Sequence, residues 1–429
     1  MGIAILFIGL IFFAAHGFSL LFEKKAVPDV LLLMLIGIIA GPIFHLAKPE
    51  DFGKWGDIVS SITLVAILFE GGMALEIKSI RETARGALPL FLFTFAATGI
   101  LAFAVAILAF RLDVLASLAF GGAVASISPA VALPMAKGFG LSKRGMDILT
   151  VDTALTDVLS IILVFSFVLA YKSGDFNAGH LLGSTLSALT FAAIIGFAAS
   201  FLWLRLLEFV RKFPNTMLST FAFLFMVYGF TEFLGFSGAI ASLFFGLGLV
   251  NKPFGLIGRL GFAIAQPETD LTLGEKSLFS EVIFVLRTFF FLYLGISLRF
   301  DSWQGILAGG GLSALIVLAR TRFARRIFGA PGEEKDREII GSMIPKGLAT
   351  AVLAALPLGA GMAGGAMVRD LSYQVIFSSI VLTSVIAFVQ KYRRGLAKTA
   401  AAPEPKADEA LSKTGPESAV TDGILGPQS

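Results

Sequence analysis

The chain has 429 residues, of which 56% are hydrophobic and only 15% charged, and its mean hydropathy is +0.86. A water-soluble globule cannot be built from that composition, so the chain reads as a polytopic membrane protein. It contains no cysteine, which excludes disulfide frameworks and thiolate metal sites, and its net charge of +4 gathers in loops between apolar runs, which argues against a nucleic-acid partner.

Apolar runs of about 17 to 25 residues read as membrane spans. About thirteen are present, at roughly 2–22, 27–47, 58–75, 86–110, 114–136, 147–171, 180–207, 216–235, 237–251, 281–299, 304–327, 338–358 and 371–390. The first follows Met1 directly, with no small-residue cleavage site before Lys24 and Lys25, so it is expected to be a retained helix and not a removed signal peptide. Loop charge alternates along the chain. Lys24, Lys25, Lys78, Arg81, Arg85, Lys137, Lys143, Arg144, Arg205, Arg211, Lys212, Arg322, Arg325 and Arg326 share one side, and only Lys48, Lys54, Arg111, Lys172, Arg299 and Arg369 the other. The positive-inside rule then predicts a multi-pass cell-membrane protein surrounded by lipid, with its N-terminus outside and its C-terminus in the cytoplasm. The mixed segment 251–280 reads as a cytoplasmic linker with an interfacial helix. Residues 395–429, polar and rich in proline and alanine, read as a disordered cytoplasmic tail, which leaves 1–394 as the transmembrane domain.

Two segments repeat. LFEGGMAL at 68–75 resembles FLYLGISL at 291–298, with Gly72 opposite Gly295, and Ser126-Ile127-Ser128-Pro129 resembles Ser342-Met343-Ile344-Pro345. The copies lie in spans of opposite orientation, as in the inverted repeats of secondary transporters, whose sites lie at midmembrane between interrupted helices. A proline in a span removes one backbone donor and frees a carbonyl, and such groups persist in the bilayer only where they meet other polar groups or line a cavity. Pro129 and Pro345 therefore suggest two discontinuous helices that face each other, although either alone also fits a packed kink. At such a crossing Ser126 and Ser128 would offer hard oxygen ligands to a small cation, and Lys346 would neutralise helix ends.

Within the sixth span Asp152 and Asp157 lie inside apolar sequence, where a carboxylate costs roughly 3 kcal/mol or more. Thr153, Asp157 and Ser160 share one helical stripe, while Asp152 points about 140° away from Asp157 and must face another neighbour. Asp157 is about ten residues, or roughly 15 Å, into its span, which is midplane. Asp152 sits at the depth of Arg320 in the eleventh span, and the two are expected to form a structural ion pair. Glu70 precedes two glycines in the third span, where it could join a cation's outer shell through water or serve as a helix-end residue near the headgroups. Arg287 lies near enough to the end of the tenth span to snorkel, and His16, His45 and His180 lack metal-ligand spacing.

The chain resembles the monovalent cation:proton antiporters, in particular the sodium/proton exchangers of the NhaP-like branch. Phe69-Glu70-Gly71-Gly72 matches the F-E-G-G signature of the third span, and Ile127-Ser128-Pro129 stands where the broken fifth span carries T-D-P. Asp152 to Asp157 stands where the sixth carries E-S-x-x-N-D, Arg320 on the arginine that pairs with that acidic position, and Pro345-Lys346-Gly347 on the G-x-R-G of the broken twelfth. Ser128 thus replaces an aspartate, Thr156 an asparagine, and Asp152 a glutamate. The run ISPAVALPM also resembles the NHA and NhaA-like branch, whose paired aspartates fall on Thr156 and Asp157.

The resemblance implies an all-α membrane fold of inverted repeats with two discontinuous crossing helices. A core of spans at about 86–171 and 304–390 would move against a scaffold that makes a homodimer contact. Asp157 would bind H+ and Na+, or K+ or Li+, alternately, assisted by Thr153 and the hydroxyls of Ser126, Ser128 and Thr156. No cofactor is expected, and no nucleophile with its base suggests an enzyme. A single exchanging carboxylate implies electroneutral exchange that supports pH homeostasis. The rival reading is a sodium-coupled symporter of an organic anion, which would need a roomier crossing; an ion channel would need a filter loop that is not visible.

Overall fold

The computed structural model describes residues 2–25, 28–75, 77–174, 178–214, 216–251, 271–300, 302–329 and 332–400. The linker residues 252–270 and the tail residues 401–429 lie outside the described residues. Among the described residues every regular element is helical. Helices satisfy their own backbone hydrogen bonds, which a bilayer demands.

In chain order the helices are α1 (Gly2–Lys25), α2 (Asp29–Ile38), α3 (Gly53–Ala74), α4 (Ile77–Ala109), α5 (Val114–Ala125), α6 (Pro129–Gly138), α7 (Lys143–Ser173) and α8 (Ala178–Val210). They continue with α9 (Ser219–Phe233), α10 (Gly238–Asn251), α11 (Leu273–Ser297), α12 (Trp303–Ile327), α13 (Glu334–Ser342), α14 (Leu348–Gly359) and α15 (Gly365–Ala400). Eight segments among the described residues are long and apolar enough to cross a membrane, counting Val114–Gly138 across its break, and shorter apolar helices lie at Gly9–Phe18, Asp29–Ile43, Ile58–Ala74, Gly238–Asn251 and Leu348–Gly359.

Several helices outrun their apolar spans, because hydropathy marks membrane depth whereas a helix runs until it is capped. Helix α7 starts where the Ser142 hydroxyl accepts the Gly145 amide at 3.0 Å, and it stops at Gly174, whose φ of 65° is the left-handed conformation of a glycine C-cap. Helix α11 starts at a reciprocal cap in which Thr272 and Glu275 bond each other's amides at 3.2 and 2.7 Å. Its first two turns therefore occupy residues assigned above to the linker.

The described residues up to Phe388 form one compact unit. Within this unit, α3 packs on α10 and α2 on α11. Gly72 faces the Leu243 carbonyl and Gly246 the Phe69 carbonyl at the first contact; Gly295 faces the Met34 carbonyl and Gly37 the Leu292 carbonyl at the second. No side chain fits at these four positions, so each pair meets backbone to backbone. The matched glycines Gly72 and Gly295 thus serve equivalent contacts in the two halves.

A further group is built from α4, α5 and α7, which pack on one another, with α12 against α4 and α13, and α14 against α5 and α7. At one end of this group Asp336 of α13 accepts the Ser142 amide at 3.1 Å and the Ser142 hydroxyl, and Arg144 pairs with Glu333. At the opposite end the Tyr171 hydroxyl donates to the Gly361 carbonyl at 2.9 Å, joining the far ends of α7 and α14.

Candidate ion site at the helix crossing

Helix α5 ends at Ala125 and α6 begins at Pro129, with Ser126 and Ser128 in extended conformations between them. Pro129 dictates this break, since it lacks an N–H and disfavours the helical region for the residue before it. The freed donors find partners on other helices. The Ile127 amide donates to Thr156 Oγ1 at 3.2 Å and the Ser128 amide to the Pro345 carbonyl at 2.9 Å.

The second break separates α13, which ends at Ser342, from α14, which begins at Leu348. Here the Lys346 amide donates to Ser379 Oγ at 3.0 Å, and the Ser342 carbonyl accepts Thr383 Oγ1 at 3.2 Å. Buried backbone groups must be paired, and hydroxyls of α15 do that here. Ser379 and Thr383 carry no sequence motif; their only signal is two hydroxyls one turn apart in an apolar span.

Asp157 lies at this crossing, 6% exposed, and accepts a hydrogen bond from Ser126 Oγ at Oδ1. Two cavities reach it. The narrower is lined by Ser126, Ser128 and the first residues of α6 and α14, and its free volume of about 10 Å³ holds one water-sized particle. The other, about 30 Å³, runs from Asp157 past Thr153 and Thr150 of α7 to Ala74 and Leu75 at the end of α3. The N-terminal ends of α6 and α14 carry partial positive charge, which favours the carboxylate. That carboxylate with adjacent hydroxyl oxygens forms a hard donor set suited to an alkali cation.

The structure therefore gathers Asp157, Ser126, Ser128 and Thr153 around two cavities that share Asp157 in their walls. Thr156 faces elsewhere: its hydroxyl donates to the Thr153 carbonyl at 2.8 Å while accepting the Ile127 amide, so it braces the break. Glu70 lines neither cavity and lies within electrostatic reach of Arg287, which also pairs with Asp29 at 3.5 Å.

Asp152 faces away from Asp157. Its Oδ2 accepts Arg320 Nη2 at 2.6 Å, and both side chains are no more than 1% exposed. The rest of the guanidinium is also engaged, Nη1 donating to Thr94 Oγ1 at 3.2 Å and Nε to the Ile340 carbonyl at 2.8 Å. Thr94 and the Ile340 carbonyl escaped the sequence reading because they share neither motif nor spacing with Arg320. Lys346 is completely buried, its Nζ has no hydrogen-bond partner within the protein, and it feels the charges of Arg320, Asp152 and Asp157. Two carboxylates and two cationic side chains thus occupy the crossing.

A family model described as "Sodium/hydrogen exchanger, transmembrane" matches residues 3–391. The chain belongs to this family. The K(+)/H(+) antiporter NhaP2 of Shewanella oneidensis is 25% identical over 375 residues, which are 84% of this chain and 61% of that protein. The Na(+)/H(+) antiporter NhaG of Bacillus atrophaeus is 22% identical over 328 residues, 72% of this chain and 59% of its own. The chain spans about three fifths of the length of these curated relatives. The structure of the sodium proton antiporter MjNhaP1 from Methanocaldococcus jannaschii matches with a TM-score of 0.68 at 18% identity, covering 91% of this chain and 99% of that one. This chain shares that fold.

Proposed function

We propose that this protein exchanges a monovalent cation for protons across the cell membrane by alternating access. The observation that carries the reading is Asp157, a carboxylate bonded by Ser126 where two broken helices meet, with a cavity leading away along Thr153. Cation and proton compete for the one carboxylate, so exchange falls at low pH, where protons hold it, and at high pH, where none is available to return. The curated relatives are named for K+ and for Na+ exchange. Sodium is the first expectation here, with K+ or Li+ as alternatives. Symport of an organic anion is disfavoured, because such a ligand needs several hundred Å³ and the cavities at Asp157 offer about 10 and 30 Å³.

In this reading Asp152 and Arg320 hold the core together, and Lys346 offsets the helix ends. The core carries the occupied site against a scaffold that also forms a homodimer, with the N-terminus outside and the C-terminus in the cytoplasm. The test is proton flux in proteoliposomes against each alkali cation in turn, for the parent and for Asp157→Asn. The parent should show cation-dependent flux and the folded variant none; robust flux in the variant would refute the mechanism.

A further inference from the structure

A cavity extends from Asp157 past Thr153 and Thr150 toward the end of the bundle where α3 stops and α7 starts. Alternating access requires another route from the opposite end. Around the crossing, the polar atoms Ser160 Oγ, Thr350 Oγ1, Ser372 Oγ and Lys346 Nζ are buried without a hydrogen-bond partner in the protein. The two other such atoms among the described residues are Asp152 Oδ1, in the ion pair, and Ser297 Oγ, at the end of α11.

The three orphaned hydroxyls share a direction. Ser160 lies one turn beyond Asp157 toward the Ser173 end of α7, and Thr350 one turn beyond Lys346 toward the Gly359 end of α14. Those ends are joined by the Tyr171–Gly361 hydrogen bond. Ser372 lies two turns from Ser379, the partner of the Lys346 amide, toward the start of α15, which follows the turn out of α14. Thr150 and Thr153 precede Asp157 on α7, so the orphans stand on the other side of the site.

An unpaired buried hydroxyl is destabilising, and native folds rarely keep several without a reason. The adjacent residues Ile161, Ala349, Ala351 and Leu371 are buried and apolar, so the chain next to these hydroxyls offers them no side-chain partner. We propose that Ser160, Thr350 and Ser372 line the second access route to Asp157, closed in this structure, and bond water and the moving ion when that end opens. Lys346 Nζ stands at the inner end of this route. The inference rests on the antiport reading above.

The chain has no cysteine, so single-cysteine variants can be labelled without background. Ser160→Cys, Thr350→Cys and Ser372→Cys, with Thr150→Cys as reference, would be reconstituted as full-length protein in oriented proteoliposomes. A membrane-impermeant methanethiosulfonate would then be applied to one face at a time. Thr150→Cys should react from one face and the other three only from the opposite face, at least about tenfold faster during cation-driven exchange than without cation. Labelling of the three from the Thr150 face, or none during measurable exchange, would overturn the assignment. Where a cysteine variant does not exchange, Ser160→Ala, Thr350→Val and Ser372→Ala decide it: several-fold slower exchange with unchanged or raised thermal stability is expected, and parental exchange in all three would overturn the route. Parent flux is measured in the same vesicles, so absent cation-dependent flux sinks the antiport reading, whereas flux without opposite-face labelling sinks only the route.

Discussion

The Ser128 amide donates to the Pro345 carbonyl across 2.9 Å, so the two broken helices are bonded to each other where each loses its own ladder. The residue after Lys346 makes this approach possible. A Cβ on Gly347 would collide with Cβ and Oγ of Ser128, whose amide is held by the Pro345 carbonyl.

Gly347→Ala should therefore destabilise the protein by about 1–3 kcal/mol, the usual cost of overpacking, and slow exchange by displacing Ser126 and Asp157. Ser128→Gly removes the colliding atoms, so the double variant should regain much of the lost thermal stability. A double variant no more stable than Gly347→Ala would show that the contact does not limit the crossing.

The ion pair of Asp152 and Arg320 gives a second expectation. Removing one partner leaves an unpaired buried charge, so Asp152→Ala and Arg320→Ala should each cost about 3–5 kcal/mol. The double variant should recover part of that loss in thermal unfolding, and strictly additive losses would rule out coupling. Thr94→Val should cost less, about 1–3 kcal/mol, because it orphans one guanidinium N–H in the core.

Much of this centre was legible in the chain because the signals are local. Pro129 and Pro345 announce the breaks by removing donors, and five residues along one helix suffice to turn Asp152 away from Asp157. The partners that complete the site come from distant sequence and carry no periodic mark. Thr94, Ser379, Thr383 and the Ile340 carbonyl become meaningful only once folding places freed donors and acceptors against them. Glu70 illustrates the converse: a motif match in the third span drew attention to it, whereas its neighbour in space is Arg287 and not the cavity. Helix length is less legible, because capping, as at Thr272, extends a helix beyond its apolar run.

Asp336 should matter although it lies far from Asp157. Its carboxylate accepts the Ser142 amide and hydroxyl at the start of α7, so it caps from one repeat the helix that carries both aspartates of the other, and negative charge there also suits the helix dipole. Asp336→Ala should lower stability by about 1–3 kcal/mol and slow exchange, while Asp336→Asn, which keeps an acceptor, should retain most of both. Equal loss in the two variants would show that charge, and not the hydrogen bond, holds this end.

Stoichiometry gives the last expectation. In the proposed exchange Asp157 is the only carboxylate among the described residues lining the two cavities, so one proton would leave for each cation bound and no net charge would cross the membrane. An imposed potential should then leave the equilibrium cation gradient in proteoliposomes unchanged. Thr156 is where a second carboxylate would change this, since its hydroxyl touches the Ile127 amide in the break and lies next to Asp157 along the chain. In Thr156→Asp an ionised side chain could still accept that amide but could no longer donate to the Thr153 carbonyl, and its titration would couple to that of Asp157. A potential-dependent rate should therefore appear in Thr156→Asp and be absent from the parent. Potential-driven transport already present in the parent would overturn the electroneutral assignment and require a second group, Lys346 or Glu70, to gain and lose a proton in the cycle.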